Sequence, residues 1–206
     1  MIIAAALLSG FGVAGAGLVA LTYDATAERI ARNEREALLE KIGMILPEGT
    51  IDNDLLNDRI AIRAPELLGG REVTVYRGRR GGEPAAAIFS PVEASGYSGP
   101  IRLIVSVRRD GSLGGVRVLS HRETPGLGDR IEEQKSDWVT KFAGRSLTDP
   151  TVDKWKVRRD GGVFDQFTGA TVTPRGVVAA VKATLQYAEQ HWAELFEPTE
   201  AQPGRG

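Results

Sequence analysis

Hydrophobic and polar positions change rhythm several times along the chain. Residues 1–22 carry no charged side chain, and the first charge is Asp24. A run of that length forms about 33 Å of helix, enough for a hydrocarbon core of roughly 30 Å. A core helix of a soluble protein this long would show a polar stripe, and this one has none. The pattern predicts a transmembrane helix over 1–22. The competing reading is a cleaved signal peptide with Ala25-Thr26-Ala27 as its cleavage site. Against it, the run outlasts the ~7–15 apolar residues of such peptides, and no basic segment precedes it. Gly12, Ala16 and Ala20 stand at small-xxx-small spacing, which suits close helix contact in lipid but is equally ordinary membrane-helix composition.

Over residues 23–50 the period becomes helical. Ala27, Ile30, Ala31, Leu38, Ile42 and Ile45 share one face, interrupted by Glu34. This predicts a stalk that buries only its ends and is stopped by Pro47 and Gly49. From Arg59 the period drops to two. Residues 59–63, 72–77 and 85–90 alternate as half-buried strands do. Two hairpins are predicted, one joining 101–109 to 115–120 and one joining 154–159 to 163–167. Asp110-Gly111 and Asp160-Gly161 supply their turns. Residues 129–142 read as a helix carrying Trp138. The last helix is predicted from Pro174 to about Phe196, burying Val177, Val178, Val181, Leu185, Ala188 and Trp192. Residues 198–206, rich in Pro, Gly and Gln, predict a disordered tail.

Helices grouped around antiparallel hairpins give an α+β domain over 51–197, behind a membrane helix (1–22) and a helical stalk (23–50). Composition adds exclusions. With 206 residues and a formal net charge of −1, nothing points to nucleic acid. There is no cysteine, so the chain holds neither disulfides nor cysteine-ligated clusters. The two histidines, His121 and His191, lie far apart without carboxylates at ligand spacing, and no metal site is assigned.

Candidate chemistry concentrates in Asp165-Gln166-Phe167-Thr168-Gly169-Ala170-Thr171-Val172-Thr173-Pro174. Gly169 and Ala170 let backbone approach a ligand, and Thr173 reads as the N-cap of a helix whose first residue is Pro174. Free N–H groups and the positive dipole end at such a point favour a phosphate. On spacing alone it is an ordinary capped helix start. Glu123-Thr124-Pro125-Gly126-Leu127-Gly128 describes a second rigid loop, which on its own reads as structural.

Asp-x-x-Thr-Gly-Ala-Thr at 165–171 resembles the flavinylation motif of membrane redox complexes. Residues 118–129 (Val-Leu-Ser-His-Arg-Glu-Thr-Pro-Gly-Leu-Gly-Asp), Ser136-Asp137-Trp138 and residues 160–175 resemble, in order, one family: the G subunits of the Rnf (Rsx) electron transport complex. The likeness covers nearly the whole chain. It implies FMN bound covalently through a phosphoester to Thr171. Thr168, Gly169, Ala170, Val172, Thr173, Glu123, Thr124, Pro125, Gly126, Leu127 and Gly128 would surround the cofactor. A threonine hydroxyl is a poor nucleophile unaided. The family uses a separate flavin transferase, for which Asp165, Thr168, Gly169 and Ala170 would be recognition residues, although Asp165 reads equally well as a turn carboxylate.

The resemblance further implies an inner-membrane protein with its domain on the periplasmic side and other Rnf subunits as partners. Its role would be to relay electrons in a complex coupling ferredoxin/NAD electron transfer to Na+ or H+ translocation, without substrate turnover of its own. The homologous C subunit of the Na+-translocating NADH:quinone oxidoreductase is the near alternative, and a flavin-free anchored scaffold is the distant one. At most one of Trp138, Trp155 and Trp192 is expected to stack on the flavin, and His121 reads as a satisfied strand histidine rather than a cofactor contact. The flavin itself is expected to be shallow and partly exposed.

Overall fold

The computed structural model describes residues 2–64 and 72–197. The predicted tail at 198–206 lies outside them. The chain forms two compact units, Met1–Glu40 and Lys41–Gly206.

The first unit lies within helix α1 (Ile2–Ile45). In it Phe11, Val13, Leu18, Val19 and Leu21 are exposed. Among the described residues no helix is long and apolar enough to cross a membrane. The expected span at 1–22 includes Met1 and the side chains of residues 2 and 4–8, which lie outside the described ones. Of the predicted stalk face, Ile30 is exposed whereas Ile42 and Ile45 are buried. Ala27 and Leu38 of that face are half-buried and Ala31 is not among the described side chains; among those described, full burial is reached at the C-terminal turn, which belongs to the second unit.

That unit is built on a five-stranded antiparallel meander, β1 (Arg59–Arg63), β2 (Glu72–Arg80), β3 (Glu83–Ser95), β4 (Pro100–Arg108) and β5 (Leu113–Ser120), in sequential order. The β4–β5 turn forms as expected: Asp110 accepts from the Ser112 N–H at 2.9 Å and its hydroxyl at 2.6 Å, and Gly111 supplies φ 78°. One face of the sheet contributes Val75, Phe89, Leu103, Val105 and Val116 to the main core. The last turn of α1 seats Ile45 against Gly114 and Gly115, and a Cβ added at Gly114 would come within 2.7 Å of the Ile45 carbonyl. Lys41 Nζ donates to the Val118 carbonyl at 2.8 Å beside it.

The final helix, α2 (Val172–Phe196), buries Val177, Val178, Val181, Leu185 and Ala188, as its periodicity predicts, with Trp192 only partly covered. Gly176 permits its approach to β3: a Cβ there would sit 1.8 Å from the Ser95 carbonyl oxygen. At the far end, Arg77 donates to the Glu197 carbonyl (2.8 Å) and Arg79 to the Phe196 carbonyl (3.3 Å), while Asp58 receives both guanidiniums. Cations thus cover the negative end of the helix dipole.

Three local expectations are corrected. Residues 129–142 are not one helix but two 3-10 turns, Gly128–Ile131 and Val139–Phe142, with irregular chain between. The second hairpin does not form. Residues 154–167 contain the 3-10 turns Val152–Lys154 and Arg158–Asp160, and a single bridge joins Val157 to Phe164. An aromatic cluster takes the place of a ladder there. Phe142 stacks on Phe164 at 4.8 Å, Trp155 lies 4.9 Å from Phe164, and Trp138 stands edge-on to Phe167 at 5.3 Å. Finally, α2 begins at Val172, so Thr171 and not Thr173 occupies the N-cap position, and Pro174 falls within the first turn, where its missing N–H still costs nothing.

Candidate functional site

Two sequence-distant loops meet at the N-terminus of α2. The first follows β5. Leu127 and Gly128 donate to the Thr124 carbonyl at 3.1 and 3.2 Å, closing a turn with Pro125 and Gly126 at its centre. Gly126 has φ 78°, the left-handed conformation such a Pro-Gly turn demands at its third residue. In the second loop, Ala170 donates to the Phe167 carbonyl at 3.1 Å, and Gly169, at φ 84°, turns the chain into α2. Gly169 is thus a conformational requirement as well as a small residue.

A buried carboxylate joins the two loops. Glu123 is 5% exposed; its Oε1 accepts from the Ser98 N–H at 2.9 Å and its Oε2 from the Thr173 hydroxyl. Thr173 is fully buried. Its hydroxyl is drawn down to Glu123, which explains why it does not cap the helix. Gly96 and Gly128 leave room for this carboxylate: a Cβ on either would come within 2.5 and 2.6 Å of a Glu123 oxygen.

Above this link opens a cleft of about 470 Å³. Its floor and walls are Glu123, Thr124, Leu127 and Gly128 from the first loop and Gly169, Ala170, Thr171 and Val172 from the second, completed by Tyr97 and Arg159. Tyr97 (76% exposed), Val172 (46%) and Leu127 (43%) form an apolar rim open to solvent. Thr171 is half-buried on the wall, and its hydroxyl makes no capping bond to α2. Around it stand the first N–H groups of the helix, the usual setting for an anion. A volume of this size with an apolar rim and few polar groups suits a cofactor-sized ligand.

Eight of the residues singled out from sequence around the cofactor therefore line one cleft, and four do not. Pro125 and Gly126 shape the turn, Thr168 is an exposed turn residue, and Thr173 lies beneath the floor. Asp165 faces elsewhere. It pairs with Arg158 Nε at 3.0 Å beside a separate hollow of about 100 Å³, and its carbonyl accepts from Trp138 Nε1 at 2.8 Å. None of the three tryptophans lines the cleft; Trp138 and Trp155 are core. His121 is satisfied away from the cleft, accepting the Glu123 N–H at 2.9 Å through Nδ1 and presenting Nε2 to Glu132.

Tyr97 and Arg159 were not anticipated. Tyr97 lies in Gly96-Tyr97-Ser98-Gly99, a run that announces only a turn between strands. Arg159 stands in a basic pair beside a turn, a pattern most often of solvated charges. The next residue, Asp160, receives a two-pronged bond from Arg175 of α2, both contacts 2.6 Å. That bond holds the Asp160 carboxyl below the usual aspartate range.

Comparison with known proteins bears on this geometry. The FMN-binding domain family matches residues 96–186, which include both loops, and the RnfG N-terminal region family matches residues 1–43. The ion-translocating oxidoreductase complex G subunit of Pseudomonas aeruginosa (strain UCBPP-PA14) is 48% identical over 96% of this chain and 92% of its own. The chain belongs to the RnfG family of Rnf-complex subunits. The same subunit of Vibrio atlanticus (strain LGP32) is 44% identical over 90% of this chain and 88% of its own. That of Cereibacter sphaeroides is 48% identical over 93% and 86%. As a member of the RnfG family the chain contains an FMN-binding domain, and the cleft between its two loops lies inside the matched region.

Proposed function

We propose that this protein bears FMN esterified through its phosphate to the Thr171 hydroxyl, and that it relays electrons between neighbouring subunits. The observation that carries the reading is the half-buried Thr171 side chain, without a capping bond, on the wall of the cleft where the 123–128 and 169–172 loops converge. The cofactor fits the residues present. Thr171 offers the bonding oxygen, the start of α2 offers N–H donors to a phosphate, and Leu127, Val172 and Tyr97 offer apolar surface for a flat ring. When bound, FMN would supply reversible one- and two-electron chemistry; the chain supplies attachment, orientation and field.

Among the described residues, the carboxylates nearest the motif are engaged: Glu123 by Ser98 and Thr173, and Asp165 by Arg158. Esterification is therefore assigned to a separate flavin transferase acting on FAD: the Thr171 oxygen would bond the FMN phosphorus as the phosphoanhydride breaks, AMP leaves and the hydroxyl proton is released. Asp165, Thr168, Gly169 and Ala170 would be its recognition residues; Asp165, Thr168 and Gly169 are exposed and Ala170 half-buried. The open rim supports a shallow, partly exposed flavin. A tether suits such a site because it keeps the local cofactor concentration at roughly millimolar or above without an enclosing pocket.

The remainder of the reading follows the family. The relatives are subunits of ion-translocating complexes, and moving an ion across a bilayer requires membrane association. The charge-free sequence 1–22 would be the anchor, with the FMN domain on the periplasmic side, the other Rnf subunits as partners, and ferredoxin/NAD electron transfer coupled to Na+ or H+. The match of the RnfG N-terminal region to residues 1–43 favours this over the C subunit of the quinone reductase.

Mass spectrometry of the peptide containing Thr171, from protein made in its native membrane, tests the reading. Addition of one FMN less water at Thr171 is expected. An unmodified fragment from the assembled complex overturns it and leaves an anchored, flavin-free scaffold.

A further inference from the structure

Arg159 is the only cationic side chain that lines the cleft, and its guanidinium has no hydrogen-bond or ion-pair partner among the described residues. Its neighbours differ in this respect. Arg158 is paired with Asp165 at 3.0 Å, and Asp160 is held by Arg175 through two bonds of 2.6 Å. Those pairs fix the 3-10 turn Arg158–Asp160 against both the flavinylation motif and α2. A third tie comes from the Gln166 side-chain oxygen, which accepts the Arg159 N–H at 3.3 Å. The backbone of residue 159 is therefore held from both sides, while its exposed side chain, whose charge acts on the Asp160 carboxylate without a hydrogen bond or close ion pair, lines the same cleft as Thr171.

The other charge on the cleft is the Glu123 carboxylate, and both of its oxygens are already occupied by donors. It does not account for Arg159. A phosphodiester linking a ribityl chain to a threonine oxygen keeps one negative charge at any physiological pH. A guanidinium matches two non-bridging phosphate oxygens with two parallel N–H bonds, a geometry an ammonium cannot reproduce.

We propose that Arg159 is the phosphate-positioning residue of the cleft, binding the two free oxygens of the phosphodiester formed at Thr171. The assignment rests on the reading of Thr171 as the attachment residue.

The test uses the full chain, co-expressed with a flavin transferase at limiting level, as wild type, Arg159→Gln and Arg159→Lys. The labelled fraction is read from the mass of the Thr171 peptide, and phosphorus NMR is recorded on the detergent-solubilised folded protein. The Gln variant is expected to be labelled at least three-fold less than wild type. Its phosphorus resonance should move by more than a linewidth, and the Lys variant should recover labelling but not the resonance position. A wild-type peptide at unmodified mass overturns the Thr171 reading itself. Labelled wild type and labelled Gln variant with superposable resonances overturn the Arg159 assignment alone, whatever the labelled fractions. If Gln abolishes labelling, the Lys variant supplies the comparison, and a resonance coincident with wild type overturns the assignment.

Discussion

The Thr173 hydroxyl donates to the buried Glu123 carboxylate across fifty residues of sequence, and this bond fastens the 123–128 loop to the first turn of α2. Neither group has water to fall back on, since Thr173 is fully buried and Glu123 is 5% exposed. Thr173→Val keeps the shape and removes the donor, leaving one buried carboxylate oxygen unsatisfied. The expected cost is about 1–3 kcal/mol of stability, read as a lower midpoint in denaturant unfolding of the solubilised protein. An unchanged midpoint would show that the link does not hold the two loops together.

Gly176 and Gly43 are both helical glycines, and they should respond oppositely to alanine. A methyl at 176 would lie 1.8 Å from the Ser95 carbonyl oxygen, which is backbone and cannot swing aside. Lifting α2 off β3 should cost about 3 kcal/mol or more. At Gly43 nothing lies within 4 Å of the added carbon. Gly43→Ala should stabilise by up to ~1 kcal/mol through lost unfolded-state freedom. Thermal unfolding of the two variants side by side checks the contrast, and equal effects would contradict it.

The meander was legible because its strands alternate: Arg59, Ala61 and Arg63 face solvent while Ile60 and Ile62 lean on the core. The same alternation misled at 154–167. Trp155, Val157, Phe164 and Phe167 are buried at near-alternate positions, but they feed an aromatic cluster in irregular chain, held by bonds such as Arg158 N–H to the Phe164 carbonyl at 2.7 Å. Period-two burial marks which side chains point inward and not whether a ladder forms. The apolar positions of 129–142 (Ile131, Trp138, Val139, Phe142) were likewise inward-facing without a continuous helix. At the site, the resemblance located both loops because their turn glycines and threonine are local text. It missed Tyr97 and Arg159, whose arrival at the cleft depends on how distant segments fold. The start of α2 was misplaced because the Thr173 hydroxyl serves Glu123, a tertiary partner invisible to capping rules.

Acid should loosen the turn that presents Arg159. The Asp160 carboxyl is held below the usual aspartate value of 3.8, chiefly by its hydrogen bonds from Arg175. A carboxyl with a depressed folded-state pKa contributes stability that is intact above its unfolded value and is lost as pH falls through the folded one. The difference in stability between wild type and Asp160→Asn should therefore be constant from neutral pH down to about 4, then shrink toward zero below it. The pair is exposed, so the difference is small throughout. A difference that persists undiminished at pH 2 would mean the Arg175 bond does not depend on the charge.

Thr171 and Thr173, two residues apart, should separate cofactor attachment from folding. Removing a capping threonine ordinarily costs about 1 kcal/mol. Thr171, however, sits in helical backbone conformation (φ −74°, ψ −27°) and its hydroxyl caps nothing. Thr171→Ala should therefore leave the unfolding midpoint within about 0.5 kcal/mol of wild type, while abolishing the fluorescent band seen under ultraviolet light on a denaturing gel. Thr173→Val should do the reverse, lowering stability but retaining a fluorescent band in whatever protein folds, because the hydroxyl at 171 is untouched. A band that survives Thr171→Ala would move the attachment to another side chain. A Thr171→Ala protein that loses flavin only together with stability would mean the hydroxyl supports the fold, and the cleft would then need a different account of how it holds its cofactor.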